Sequence, residues 1–205
     1  MREGDKAIKL FRPKLLVRVI YLVFYGRWHS QYETIQGMRK AQTLRQIANH
    51  VATLASKIGR PVFARPFEVV MHSGQPALVL EWIDGHEISK SAASEFQLLL
   101  ERVLLNAGLP TWSINVHNPG ASADMRETSN GLVALDYESA VPPLFVSREE
   151  KSLMKARGEW WTIDAVDFGR LENALRQARE SQYEDIEAFQ AQVNALKSCT
   201  TRRVQ

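Results

Sequence analysis

Cysteine is almost absent from this chain. Cys199 is the only one in 205 residues, so no disulfide can close within the chain and no Cys-based metal site can form. That usage fits a reducing cytoplasm. Long apolar runs are missing as well. The most apolar stretch, Leu15 to Tyr25, spans about eleven residues and contains Arg18, well short of the ~20 a membrane-spanning helix needs. It reads as a buried helix or strand, or as a membrane-surface helix flanked by Lys14, Arg18 and Arg27. The first residues are charged and lack the apolar core of a signal peptide. There is no Gly-x-Ser-x-Gly, no G-x-x-x-x-G-K-[ST], no His pair at metal spacing and no zinc pattern. No repeat and no low-complexity segment is present. The tryptophans, Trp28, Trp82, Trp112, Trp160 and Trp161, are scattered, as core or lobe contacts are.

Acids are scarce in one region. Residues 1–65 hold 13 of the 26 Lys and Arg but only 3 of the 23 Asp and Glu, a net +10 against −7 for the remainder. Such a basic segment suits a phosphate-rich ligand, an anionic membrane surface, an acidic protein partner or nucleic acid. It also serves solubility and attraction between lobes. With 45% hydrophobic residues the chain can build a packed core.

The pattern along the chain is α+β. Residues 5–11 read as a strand. Ser30-Gln31-Tyr32-Glu33 is a capping box, and behind it Ile35, Met38, Ala41, Leu44, Ile47, Val51, Leu54 and Ile58 recur at helical spacing. Gly59-Arg60-Pro61 stops that helix. Strands are expected over Val62–Val70 and Pro76–Ile83, joined by a turn at His72-Ser73-Gly74-Gln75. A helix is expected from Ser91 to Asn106, ended by Gly108 and Pro110, then a loop from Thr111 to Ala123. Helices are also expected over 167–179 and 181–198, the second opened by the capping box Ser181-x-x-Glu184, with Thr200–Gln205 as a frayed tail.

The most informative stretch runs from Asn130 to Ala140. Asn130-Gly131 is a strong hairpin signal. The apolar Leu132-Val133-Ala134-Leu135 follows, and Asp136 ends it. Asp124 stands at the far end of the same hairpin, so the two carboxylates are expected to face one another within reach of one divalent cation. A solvated surface hairpin is the plainer alternative.

Other segments extend the pattern. Lys6-Ala7-Ile8-Lys9-Leu10-Phe11 is similar to the V-A-I-K strand of protein kinases. Pro76-Ala77-Leu78-Val79-Leu80-Glu81-Trp82-Ile83-Asp84-Gly85 is similar to a kinase's fifth strand and hinge. The order is Lys strand, long helix, hinge strand, helix, loop, hairpin and Asp. Over roughly residues 5 to 142 the chain resembles a protein-kinase-like fold, nearest to atypical bacterial kinases of the ubiquinone-biosynthesis (UbiB/AarF-like) type. The resemblance implies a two-lobe fold: a basic, truncated N-terminal lobe over 1–84 and a short helical C-terminal lobe over 85–205. It implies ATP and Mg²⁺ as cofactors. Lys9 would hold phosphates, directed away from bulk solvent. Glu33 would be its ion-pair partner, or a capping residue only. Glu81 and Trp82 would flank the nucleotide at the hinge, and Asp124 and Asp136 would ligate the metal.

The sequence departs from that pattern in several places. The loop Ser113 to Asp124 has no Asp at the base position. Asn118 lies nearest, and an amide cannot accept a proton at neutral pH. His117 is a candidate base, or it hydrogen-bonds a backbone carbonyl. Tyr137-Glu138-Ser139 follows Asp136 in place of Phe-Gly. The literal Asp167-Phe168-Gly169 opens an amphipathic stretch, so Asp167 reads as a helix N-cap. Only eight residues precede Lys9, with one Gly at position 4, so no Gly-rich loop is expected to cover the phosphates. The expectation is an ATP- and Mg²⁺-dependent phosphotransferase or its degenerate relative. A pseudokinase acting as a regulatory or interaction module is the alternative, and a nucleic-acid-binding protein a third. The setting is the cytoplasm, or the membrane's cytoplasmic periphery.

Overall fold

A computed structural model of the protein describes residues 1–10, 19, 31–114, 121–137 and 166–201. The fold is α+β. Among the described residues it has four helices, a four-stranded antiparallel sheet and a three-stranded antiparallel sheet. The chain divides into two compact units. One comprises Met1–Gln42 with Arg65–Trp82, the other Thr43–Ala64 with Ile83–Gln205.

The first unit is built on the four-stranded sheet. Its strands are β1 (Arg2–Glu3), β2 (Lys6–Leu10), β3 (Pro66–His72) and β4 (Gln75–Glu81), in the order β1-β2-β4-β3. β4 lies between two neighbours and is buried from Pro76 to Leu80, which is why Pro-Ala-Leu-Val-Leu reads as a continuous apolar run and not as an alternation. Ser73 and Gly74 join β3 to β4 with φ of 49° and 75°. Two left-handed residues match a hairpin corner to the strands' right-handed twist, and this is the turn the sequence predicts. Ala7, Leu78, Leu80 and Val69 share one face of the sheet, against which Met38 packs. Met38 lies on helix α1 (Gln31–Leu54). Farther along α1, the Gln42 amide Nε2 donates to the carbonyl of Phe67 at 2.8 Å.

The second unit holds the larger core. Leu44, Ile47, Ala48, Val51 and Ala52 of α1 are buried with Phe96, Leu100 and Leu104 of α2 (Lys90–Asn106). Leu171, Leu175 and Ala178 of α3 (Phe168–Glu180) join them, with Phe189, Val193 and Leu196 of α4 (Ile186–Thr201). Gly108 turns at φ 76°, and a Cβ there would stand 2.3 Å from the Asp167 carbonyl. The chain approaches so closely because Asp167 N donates to the Gly108 carbonyl at 2.8 Å. The second sheet orders β5 (His86–Glu87), β6 (Met125–Thr128) and β7 (Gly131–Ala134) as β5-β6-β7.

Several boundaries differ from the sequence reading. α1 ends at Leu54 and not Ile58; Ala55 to Ile58 form turns before Gly59, whose φ is 67°. The strand expected from Val62 begins at Pro66. Phe63 makes only an isolated parallel bridge, to Ala134, because residues 62 and 63 are bonded to a helix side chain described below. Asp167 caps α3 as expected, its carboxylate accepting from Arg170 N at 3.1 Å. The capping box at Ser181 does not form. Ser181 is instead the C-cap of α3, its hydroxyl donating to the Ala178 carbonyl at 3.0 Å.

Candidate functional site

The hairpin β6–β7 brings the two predicted metal ligands to one end. Met125 pairs with Ala134, and one step beyond that pair Leu135 N donates to the Asp124 carbonyl at 2.7 Å. Asp124 closes a short 3₁₀ turn, Ala121–Asp124, and Asp136 follows Leu135 directly. Both acids are half-buried. The corner of the hairpin is shifted one residue from the sequence reading. Ser129 and Asn130 form it without positive φ, and Gly131 takes the left-handed conformation at φ 100°. Thr128 Oγ1 donates to the Gly131 carbonyl at 2.8 Å and accepts from Asn130 N at 3.1 Å.

Three polar side chains hold this hairpin: Arg45 and Asn49, to which the sequence assigns no role, and Arg60, which it places only in a helix stop. Arg45 on α1 is fully buried. Its Nη1 donates to the Leu135 carbonyl at 2.7 Å and lies 3.5 Å from the Ala64 carbonyl. Asn49, one turn later, treats residues 62 and 63 as a strand edge. Its Oδ1 accepts from Val62 N at 3.0 Å and Phe63 N at 2.9 Å, and its Nδ2 donates to the Phe63 carbonyl at 3.0 Å. Val62 in turn accepts from Ala134 N at 2.7 Å. Arg60 donates through Nη2 to the Leu132 carbonyl at 2.7 Å. Burial pushes the Arg60 guanidinium below its ordinary range.

Tyr137 follows Asp136 and is fully buried. Its hydroxyl donates to the Pro110 carbonyl at 2.7 Å, and its ring lies 4.5 Å from that of Phe63. Burial pushes this phenol far above its ordinary range, and the nearby Arg45 charge partly opposes the shift. The signal for Arg45 was present in the sequence as a charge within the buried stripe Ala41, Leu44, Ala48 and Ala52.

The proposed nucleotide contacts belong to the first unit. Lys9 is half-buried on β2 opposite Leu78, on the sheet face it shares with Ala7 and Leu80. Glu81 ends β4. Its backbone N donates to the Arg65 carbonyl at 2.8 Å, and its Oε2 accepts from Arg65 N at 3.3 Å. Trp82 N donates to the Asp5 carbonyl at 2.8 Å, and the Arg2 guanidinium lies 4.8 Å from the centre of the exposed Trp82 indole. Glu33 sits in the first turn of α1, with its side chain outside the described residues. His117 and Asn118, and the Ser30 capping position, also lie outside them.

Asp124 and Asp136 each carry hard-oxygen donors at this hairpin end. Mg²⁺ binds through one or two carboxylates plus waters and phosphates, which is the chemistry such side chains offer. Among the described residues no group of three or more His, Cys, Asp or Glu gathers to hold a metal, so any cation at this end would complete its shell from solvent or ligand. Likewise no described helix is long and apolar enough to cross a membrane. Comparison with known proteins finds no matching family model, no matching curated protein and no matching solved structure.

Proposed function

We propose that the chain is an atypical kinase-like protein that binds ATP with Mg²⁺, as a phosphotransferase or the degenerate relative of one. The observation that supports this reading is the placement of Asp124 and Asp136 at the same end of the β6–β7 hairpin, where Leu135, the residue before Asp136, donates its N–H to the Asp124 carbonyl at 2.7 Å. Asp124 and Asp136 take the cation, and Lys9 takes phosphate oxygens as a point charge. The element order also supports the reading: Lys strand, long helix, strand ending in Glu81, helix, short turn, hairpin, acid. When bound, the cation supplies charge neutralisation at the phosphates. The chain's own part is to hold the two carboxylates and the lysine.

Affinity is expected to be weak. Lys9 and two half-buried acids supply few contacts, which salt screens. A dissociation constant of about 0.1 mM or weaker corresponds to roughly −5.5 kcal/mol. Calorimetry with Mg-ATP tests this, with Asp136→Asn and Lys9→Ala as controls. Binding that disappears with EDTA and with Asp136→Asn supports the reading; micromolar ATP binding in EDTA, or binding indifferent to both variants, overturns it. Release of ADP then separates a working phosphotransferase from a nucleotide-binding relative.

The pseudokinase reading has its own support. The backbone amides of Glu81 and Trp82 are already donated to Arg65 and Asp5, so neither is available to a nucleotide base. Saturable Mg-ATP binding with no ADP release would favour this second reading.

A further inference from the structure

We infer that Arg45 is a positioning residue for the Asp124–Asp136 pair. The inference rests on the reading of that hairpin end as a cation site. The Leu135 carbonyl, which Arg45 Nη1 holds at 2.7 Å, belongs to the same planar amide as the nitrogen of Asp136. Fixing that oxygen fixes the plane through which the chain enters Asp136. The amide of Leu135 is fixed as well, by the Asp124 carbonyl at 2.7 Å. Leu135 is therefore a node. One of its backbone groups is held by the helix cation, the other by the partner acid's own backbone.

The chain is also fixed where it leaves Asp136. The Tyr137 hydroxyl is bonded to the Pro110 carbonyl at 2.7 Å, and its ring rests on Phe63. Asp136 thus stands between two anchored residues, although its own side chain remains half-buried. Arg45 reaches a second carbonyl, that of Ala64 at 3.5 Å, just past the segment Asn49 holds. A charged donor bonds a carbonyl more strongly than a neutral one, and the single nitrogen Nη1 that faces both carbonyls is carried on a rigid planar group. A merely apolar filler at position 45 would pack the helix but leave the plane before Asp136 free to turn. Metal sites lose affinity when the groups that orient their ligands are removed, typically by 10- to 100-fold.

The test uses the full chain and Mn²⁺ alone as probe, followed by its electron paramagnetic resonance signal. Native protein is compared with Asp136→Asn, Arg45→Lys and Arg45→Met, well below the melting temperature of the least stable. The expected result is loss of Mn²⁺ binding in Asp136→Asn and affinity at least 10-fold weaker in Arg45→Met. Arg45→Lys should fall between native and Met, because it keeps the charge and a donor nitrogen but not the rigid plane that places Nη1. If Asp136→Asn binds as native does, the hairpin end is not the cation site and the functional reading fails. If Asp136→Asn loses the metal while folded Arg45→Met stays within twofold of native, the site stands and the role of Arg45 is refuted. A purely structural Arg45 would lower the melting temperature alone. Should Arg45→Met not fold, Arg45→Lys decides: native affinity in that variant overturns the inference, and weakened affinity supports it.

Discussion

The two hairpins are built on opposite plans. β3–β4 has seven-residue strands, and its corner is made by Ser73 and Gly74, both left-handed. Its corner is supplied by its own residues, and β2 and Gln42 add to it along the strands. β6–β7 has four-residue strands and a corner without that device. It is held from outside by Arg45, Arg60 and the Asn49-bonded segment 62–63. A hairpin that pairs with itself can be placed by short-range chemistry. One with strands this short gains from distant buried anchors, because short strands alone are marginal.

That contrast breaks most sharply at Arg45. Arg45→Met should destabilise the protein by about 3 kcal/mol or more, since it removes a charge-assisted bond and leaves buried carbonyls unsatisfied. Gly74→Ala in the other hairpin should cost only about 1 kcal/mol, the penalty for an L side chain at φ 75°, because the space around it is open. Urea denaturation of the two variants checks the order. Asn49→Ala follows, at about 2 to 3 kcal/mol, because three backbone groups lose their partner at once. If Asn49→Ala cost no more than Gly74→Ala, the anchoring account of the second hairpin would fail.

The same contrast explains what could be read from sequence. The Ser73-Gly74 corner, the capping Asp167 and the apolar run of β4 are local signals, and each lies where its residues predict. Val62 and Phe63 both favour a strand, so the sequence alone predicts one from residue 62. Asn49, thirteen residues away, recruits them instead. Arg45 stands out in sequence as a charge within a buried stripe, but nothing near it reveals that its partner is the carbonyl of Leu135, 90 residues on. The order of elements was legible, and so was the hairpin that carries Asp124 and Asp136. The buried polar frame around them was not, because hydrogen bonds across such separations leave no periodicity.

Gly131 sharpens the comparison at equal chemistry. Gly131→Ala should cost about 2 kcal/mol against about 1 for Gly74→Ala. Its φ is 100°, and a new Cβ would stand 2.6 Å from Arg60 Nη2, which is itself bonded to Leu132. Equal losses on denaturant titration would mean that Arg60 simply moves aside.

A pH-dependent effect should come from another long-range contact in the second unit. His50 Nδ1 meets the Tyr183 hydroxyl at 2.9 Å, and its ring stacks on Phe189 at 5.2 Å. Burial lowers its pKa from 6.5, with Asp185 and Gln192 pulling it back. The folded state therefore binds this proton less readily than the unfolded chain. Stability from His50 is present above pH 6.5 and falls as the pH drops below it. Melting temperature should decline more steeply between pH 7 and 5.5 in the native protein than in His50→Gln, with hydrogen exchange rising first in α4. A native slope no steeper than that of the variant would remove His50 from the account.

The smallest expected effect tests the local limit of the comparison. The backbone of the reversal between α3 and α4 is bonded by its own groups. Tyr183 N donates to the Ala178 carbonyl at 3.0 Å and Gln182 N to the Arg179 carbonyl at 3.1 Å. These are the two bonds of a Schellman ending, whose left-handed position usually carries Gly. Here Gln182 occupies it at φ 55°, at a cost of roughly 1 kcal/mol for an L side chain. Gln182→Gly relieves that strain but loosens the unfolded chain, which offsets part of the gain. The net expectation is stabilisation of about 0.5 kcal/mol, seen as a small rise in the denaturation midpoint with unchanged slope. Because the motif satisfies its own backbone, the gain should add to the effect of Asn49→Ala without coupling, as distant independent sites do. A measured coupling well above 0.5 kcal/mol would show that even this reversal is held from outside.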